Sequence, residues 1–325
     1  MNNSEIDFKV NQIRELNIKH SSLADALETI KTAYTSVKTQ RSMNMGKIPI
    51  TYKPICGVIS GPTGVGKTTL CNFVKTNLPS KVVTKNNLHK KIIPCIYVSI
   101  ANMSTPKSVT GRILEEFDQE VPNRATEHQM LRQLKELFTT CETNIVLLDE
   151  IHDIVTGTGL TKVMKWLKSL VNETKAAIFL AGTENSEAIV DADPELKTRF
   201  KMRMRLHYMR FDLDNPDSEF EMYIRKLLSD IEEILEFSSV FTPSQSELAR
   251  LYLTTDGNLE NISTLMIEAS RKAFKAEQTS LTFENIGEGF HKTGLTLPVR
   301  YQNSISPFEL SDKDVKKFIR HLGSK

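Results

Sequence analysis

The sequence predicts a doubly wound α/β domain with a five-stranded parallel sheet, followed by a small C-terminal α-helical domain. Three observations carry that prediction: five short strand-like runs, helical patterns between them, and the stretch GPTGVGKTTL at residues 61–70, directly after the first run. Short continuous apolar runs that alternate with helical patterns read as strands buried on both faces and joined by crossover helices, which makes the sheet parallel.

Residues 22–38, SLADALETIKTAYTSVK, place Leu23, Leu27, Ile30 and Tyr34 at the spacing of an amphipathic helix, and MNMGKIPITYKP then breaks the pattern. Residues 1–50 are therefore read as a helical entry segment. The strands follow as PICGVIS, IPCIYVSI, NIVLLD, AAIFLAG and MRMRLHYMRF. Between them lie a helix from about residue 66 and the helical patterns TPKSVTGRILEEF, EHQMLRQLKELFTTC and LTKVMKWLKSLVNE. The α/β domain spans residues 51–211. After Phe211 only helical patterns remain, over about 217–236, 243–254 and 258–276, and Thr282 stands where it would cap one more short helix. This helical domain covers residues 212–292. In the tail, 293–325, Val315, Phe318, Ile319 and Leu322 recur at helical spacing beside Lys316, Lys317 and Arg320. That is a basic amphipathic helix, which either docks on its own chain or meets a partner or DNA.

A chain of 325 residues has room for about two domains, and 39% hydrophobic and 25% charged residues with few Gly (14) and Pro (12) suit a helix-rich soluble protein. Lys and Arg (42) barely exceed Asp and Glu (40), so the net charge of +2 gives no global argument for nucleic acid, and any such case rests on local patches. Cys56, Cys71, Cys95 and Cys141 show neither C-x-x-C pairing nor histidines at zinc spacing and are read as reduced core residues. The N-terminus has acids and no apolar segment of the secretory type, and no uncharged apolar window approaches the roughly 20 residues of a membrane span. The expected location is the cytoplasm.

Gly61-Pro62-Thr63-Gly64-Val65-Gly66-Lys67-Thr68 fits G-x-x-x-x-G-K-[ST] and lies between a strand and a helix, as the motif must. Its glycines let backbone amides point inward, the helix N-terminus adds partial positive charge, Lys67 is suited to bridging β- and γ-phosphates, and the Thr68 hydroxyl to ligating Mg²⁺. With Thr69 these residues form the expected site for ATP and Mg²⁺. NIVLLDE ends a strand in adjacent carboxylates: Asp149 is suited to holding the metal, and Glu150 to polarising a water for attack on the γ-phosphate. Glu150 directly after Asp149, with no recognisable acceptor site, argues against simple kinase chemistry. His152 either reports on nucleotide state or is a structural histidine. Thr183, first after AAIFLAG, either touches the γ-phosphate or attacking water or caps its loop, with Asn185 second in line. DPELKTRFKMRMRLHYMR carries six Lys and Arg and no acid after Glu195. It reads either as a solvated face or as arginines projecting toward a neighbouring subunit, with Arg199 the candidate for a catalytic arginine supplied in trans. The alternation Arg203-Met204-Arg205 instead suits a strand with one basic face.

Taken together, GPTGVGKT, IVLLDE, AGTEN and DPELKTRF with a helical lid after them resemble an AAA+ ATPase. PICGVISGPTGVGKTTL, YVSIANMSTPKSVTGRILEEF, NIVLLDEIHDI and IFLAGTEN resemble the TniB/TnsC group, ATP-dependent regulators of Tn7-like transposition that include CRISPR-associated elements. The resemblance spans about residues 20–290. It implies a homo-oligomer, a ring or helical filament, that forms on double-stranded DNA and links a target selector of the TniQ type to the transposase. It also implies that Lys67 and Thr68 fall on Walker A, Asp149 and Glu150 on Walker B, Thr183 on sensor 1 and Arg199 on the arginine finger. DNA contacts in the group come from the helical insertion after the second strand, here NMSTPKSVTGR, which makes Lys107 the phosphate contact and Thr105 or Arg112 the next. One departure is DGNLENI, which offers Glu260 where many AAA+ lids carry a sensor 2 arginine; slow or partner-dependent turnover is expected from it. A helicase loader or initiator-like ATPase would share every ATPase motif, and a P-loop signalling switch without DNA binding is a third reading.

Overall fold

The structure is a computed structural model that describes residues 2–19, 21–85, 88–103, 105–121, 124–215, 217–295 and 306–323. In chain order, α1 (Asn3–Asn11), a 3-10 segment (Gln12–Lys19) and α2 (Ser21–Met43) precede β1 (Gly57–Ser60) and α3 (Lys67–Asn77). An antiparallel hairpin of β2 (Lys81–Lys85) and β3 (Leu88–Ile92) leads to β4 (Cys95–Ser99), α4 (Pro106–Glu115), α5 (Glu127–Thr140) and β5 (Ile145–Asp149). Then come α6 (Ile151–Thr158), α7 (Leu160–Thr174), β6 (Ala177–Gly182), α8 (Ser186–Asp191), α9 (Pro194–Arg199) and β7 (Met202–Arg205). The remainder holds α10 (Glu219–Leu235), β8 (Ser239–Val240), α11 (Gln245–Thr255), α12 (Leu259–Lys275), β9 (Ser280–Leu281), α13 (Phe283–Phe290) and α14 (Asp312–Gly323). The chain forms two compact units, residues 21–63 with 67–206, and residues 1–20 with 64–66 and 207–325.

The first unit is built on a five-stranded sheet of order β4-β5-β6-β1-β7, parallel throughout. All five strands begin in the runs that predict them. Those of β1, β5 and β6 are buried from end to end because helices cover both faces, whereas the MRMR strand, β7, lies at an edge and is largely open to solvent. On one face, Val58, Ile96, Val98, Val146, Leu148, Ile178 and Leu180 pack with α4, α5 and α7. The single tryptophan, Trp166, is buried there, and its indole N–H donates to Thr110 Oγ1 at 2.9 Å, which satisfies the one polar atom it carries inward. Leu23, Ala26, Ile30, Ala33 and Val37 give α2 an apolar stripe that packs against α3, β5 and β6. At its end Arg41 is only 4% exposed: its guanidinium donates to Asn144 Oδ1, the Thr143 carbonyl and the Gly46 carbonyl, and burial lowers its pKa.

The second unit is helical. Ile6, Val10, Ile13 and Leu16 are buried as α1 and the 3-10 segment pack on α12 and α10, with Arg271 bonded to Asp7 at 3.0 Å. The entry segment read over residues 1–50 is thus divided at residue 20, because it holds two apolar stripes that find different partners. Thr282 caps α13 in a reciprocal capping box with Asn285. The tail helix α14 packs on α11, burying Val315 and Ile319, and Arg250 donates to the Pro307 and Leu310 carbonyls and to Asp312. Of the two readings of this helix, docking on its own chain is the one observed; the Leu322 side chain lies outside the described residues.

The β2–β3 hairpin has no counterpart in the sequence reading. Its residues, KVVTK and LHKKI, form no continuous apolar run because lysines and a histidine interrupt them; Val82 and Val83 are exposed, and the intervening residues 86 and 87 lie outside the described residues. All four cysteines are buried with free thiols. Among the described residues no helix is long and apolar enough to cross a membrane, and no cluster of three or more His, Cys, Asp or Glu could hold a metal ion by itself.

Candidate active site

β1 ends at Ser60, and the loop from Gly61 curls into the first turn of α3, which Lys67 opens. Gly64 has φ of +78° and Gly66 of +98°, conformations that an L side chain rarely adopts, so this turn depends on glycine. The Lys67 side chain lies back along the loop and donates to the Gly61 carbonyl at 2.9 Å and the Pro62 carbonyl at 2.7 Å. Its burial lowers the ammonium pKa, and the carboxylates of Glu150 and Asp149 oppose that shift.

β5 delivers Asp149 to the same end of the sheet, where it is 1% exposed. Thr68 Oγ1 donates to Asp149 Oδ2 at 2.6 Å, the Tyr97 hydroxyl donates to that oxygen at 3.2 Å, and the Glu150 amide donates to Oδ1 at 3.0 Å. Tyr97 stands on the neighbouring strand β4, paired with Leu147, and burial, followed by the Asp149 charge, pushes its phenol pKa well up, so it keeps the proton it donates. Sequence reasoning missed Tyr97; its only signal was a phenol inside an otherwise apolar run.

Glu150 adopts φ of +57°, a left-handed conformation that costs a non-glycine residue on the order of 1 kcal/mol. The turn breaks the strand immediately after Asp149 and starts α6, so the two adjacent acids leave the strand end in different settings: Asp149 buried, Glu150 half-exposed. His152 Nδ1 lies 3.4 Å from Glu150 Oε2, and its Nε2 lies 3.5 Å from Asp153 Oδ1.

β6 runs between β5 and β1, so Thr183, which follows it, lies between the strand of the two acids and the strand of the glycine loop. Thr183 is half-buried and its carbonyl accepts from the Ser186 amide at 2.9 Å, while Asn185 is exposed just ahead of α8. On α8 itself, the carboxylate of Glu187 gathers several donors: Ser60 Oγ at 2.7 Å, and Arg205 through Nε and Nη2, each at 2.8 Å. These contacts, Arg205 first, hold the Glu187 carboxyl down to about 2, and they tie α8 to the ends of both β1 and β7.

Arg199 is not brought to this end. It closes α9, ahead of β7, whose Met202 pairs with Gly57 at the start of β1, so it sits at the opposite end of the strands from the glycine loop. There its side chain is 19% exposed, donates to Glu195 Oε1 at 2.9 Å, and lines a cavity of about 540 Å³ with Lys53, Cys56 and Lys201.

The insertion residues lie on α4, after the end of β4. Lys107 is exposed, Arg112 is exposed and ion-paired with Glu115 at 2.6 Å, and Thr105 is the N-cap of the helix, its hydroxyl accepting from the Ser108 amide. Ser104, inside the same motif, lies outside the described residues. In the helical unit, Asn258 caps α12 by accepting from the Glu260 and Asn261 amides, and the Glu260 amide also donates to the Gly64 carbonyl at 3.1 Å, so Glu260 contributes its backbone there while its side chain is exposed.

A parallel sheet in which an interior strand, β1, feeds a glycine loop, with acids at the end of β5 two places away, defines an AAA+ P-loop ATPase fold. Solved structures agree. The Aeropyrum pernix ORC2 protein, in ADPNP–ADP complexes, is similar with a TM-score of 0.58 and 13% identity over 86% of this chain and 70% of that one. Cdc6p from Pyrobaculum aerophilum gives 0.53 and 13% over 87% and 70%, and the Aeropyrum pernix ORC1 protein in complex with DNA gives 0.50 and 15% over 81% and 64%. No curated protein matches the sequence. The bacterial TniB protein family matches residues 18–209, and the chain belongs to that family.

Proposed function

We propose that this protein is an ATP-dependent, DNA-binding regulator of transposition: a homo-oligomer formed on duplex DNA that links a TniQ-type target selector to the transposase, with ATP hydrolysis ending the assembled state. The observation that carries the ATPase part is the Thr68–Asp149 contact beside Lys67 and Glu150. A hydroxyl and a carboxylate that meet at 2.6 Å are hard oxygen donors of the kind Mg²⁺ takes, and an ammonium turned onto the loop carbonyls is a cation held where phosphate would lie. These residues therefore fit a magnesium nucleotide. Mg²⁺, when bound, would neutralise charge on the β- and γ-phosphate oxygens.

The chain's own residues supply the rest. Lys67 offsets phosphate charge, and Glu150 takes a proton from the attacking water as the bond from the γ-phosphorus to the bridging oxygen breaks and ADP leaves. His152 Nδ1 lies 3.4 Å from the Glu150 carboxylate. Arg199 lies a strand's length, roughly 10 Å or more, from its own glycine loop, which supports action on a neighbouring protomer's nucleotide. Lys107, exposed on α4, supports a phosphate contact that holds DNA without reading its sequence. Family membership favours transposition over the loader or initiator reading, which the same site would also serve.

Electron microscopy of the purified protein tests the proposal. With ATP and duplex DNA, continuous filaments or stacked rings are expected, and Lys67→Ala is expected to lose them. Monomers under every combination of nucleotide and DNA would overturn it.

A further inference from the structure

Between Thr29 and Leu114 the sequence contains thirteen Lys and Arg and no Asp or Glu, although the whole chain carries only +2. Part of this charge is used inside the protein, as in Lys67 and Arg41. Another part collects in the α/β unit, where the C-terminal half of α2 and one face of the β2–β3 hairpin enclose a cleft of about 970 Å³. Pro94, just ahead of β4, and Asn144, just ahead of β5, form its floor, so the cleft lies at the end of the sheet away from the glycine loop.

The cleft's polar groups fall into two sets. The buried set is satisfied internally, since the Arg41 guanidinium donates to Asn144 and to backbone carbonyls. The second set is three lysines that line the cleft, Lys38, Lys81 and Lys90. Lys90 pairs with Glu142 at 2.6 Å, the one acid lining the cleft, while Lys38 and Lys81 are exposed and make no ion pair with another described residue. A small-molecule pocket needs convergent inward polar groups, and this cleft has none to spare. Exposed point charges along a cleft suit a polyanion that lies across it. On the hairpin, Lys81 and the partner position of Lys90 are two residues apart, roughly 7 Å along the ribbon, comparable with the separation of neighbouring phosphates on one duplex strand. A two-stranded ribbon is also of a size that the major groove admits.

We infer that this cleft is a second binding site for the phosphate backbone of duplex DNA, distinct from the contact on α4. The inference rests on the reading that the protein binds duplex DNA. Because both lysines are exposed and remote from Lys67 and Asp149, replacing them leaves nucleotide binding intact.

The test is anisotropy of a fluorescent 40-base-pair duplex with the full chain, Mg²⁺ and a non-hydrolysable ATP analogue, across a salt series. The double variant Lys38→Gln/Lys81→Gln is expected to lose roughly 10- to 100-fold in affinity near 0.1 M salt, and its log–log salt slope to fall by about 2. Lys107→Ala is expected to lower the slope by about 1 on its own. Wild-type affinity and slope in the double variant, or lost affinity with an unchanged slope, would overturn the cleft. If Lys107→Ala weakens binding while the double variant does not, the cleft fails and the DNA reading stands. If the wild-type protein binds no duplex at any salt, that reading fails and the cleft with it. Stronger displacement by single-stranded RNA or polyglutamate than by unlabelled duplex would overturn the choice of ligand.

Discussion

The two ends of the parallel sheet are built differently. Where the strands finish, polar groups converge and satisfy one another: Thr68, Tyr97 and the Glu150 amide on Asp149, and Ser60 and Arg205 on Glu187. Where the strands begin, the groups converge less: Arg199 beside one cavity bonds Glu195, and Lys38 and Lys81 stand exposed on another. Buried, mutually bonded groups hold a fixed geometry, which bond-making chemistry requires. Dispersed surface charges hold none, and they suit a partner that brings its own shape.

Breaking the second of these ends should have the largest catalytic effect if Arg199 acts in trans. Arg199→Ala is expected to lower steady-state ATP turnover of the assembled protein by about 10³-fold while leaving nucleotide affinity of the protomer unchanged. A variant that turns over normally in assemblies would return Arg199 to a purely structural pairing with Glu195. At the first end, Glu150→Gln is expected to keep nucleotide binding and assembly but to reduce hydrolysis by about 10²-fold or more. Unchanged phosphate release would remove Glu150 from its role.

The smallest effect concerns stability. The Glu187 carboxyl is held down to about 2 from its ordinary value of 4.5. A depressed acid contributes stability that is complete above its unfolded value and is lost as pH falls from about 4.5 toward 2. Because Arg205 is largely exposed, solvent screening reduces the contribution to about 1–2 kcal/mol at neutral pH. Glu187→Gln should lower denaturant stability by that amount at pH 7, and the gap from wild type should close as the pH is lowered through this window. A gap independent of pH would show that Glu187 acts through packing rather than charge.

The legible parts of this protein are those whose partners lie close in sequence. Gly61–Thr68 declares its turn through local backbone needs, and Asp149 and Glu150 declare themselves as adjacent acids ending an apolar run. Thr282 announces a helix cap three residues before Asn285. The illegible parts depend on distant partners. Tyr97 meets Asp149 across 52 positions, Ser60 meets Glu187 across 127, and Arg41 meets Asn144 across 103. The hairpin of residues 81–92 was silent because neither of its faces is a continuous apolar surface.

By itself the sequence determined the class of fold, the chain order of the five strands of the parallel sheet, and the phosphate loop, because hydrophobic periodicity and glycine conformation are properties of short stretches. Only the tertiary structure decided that Arg199 faces away from its own loop, that residues 1–20 and 21–50 pack in different units, and that the lysines of α2 and the hairpin share one cleft. Those outcomes follow from which strand lies beside which, and that pairing is settled by burial of the whole sheet rather than by any segment alone.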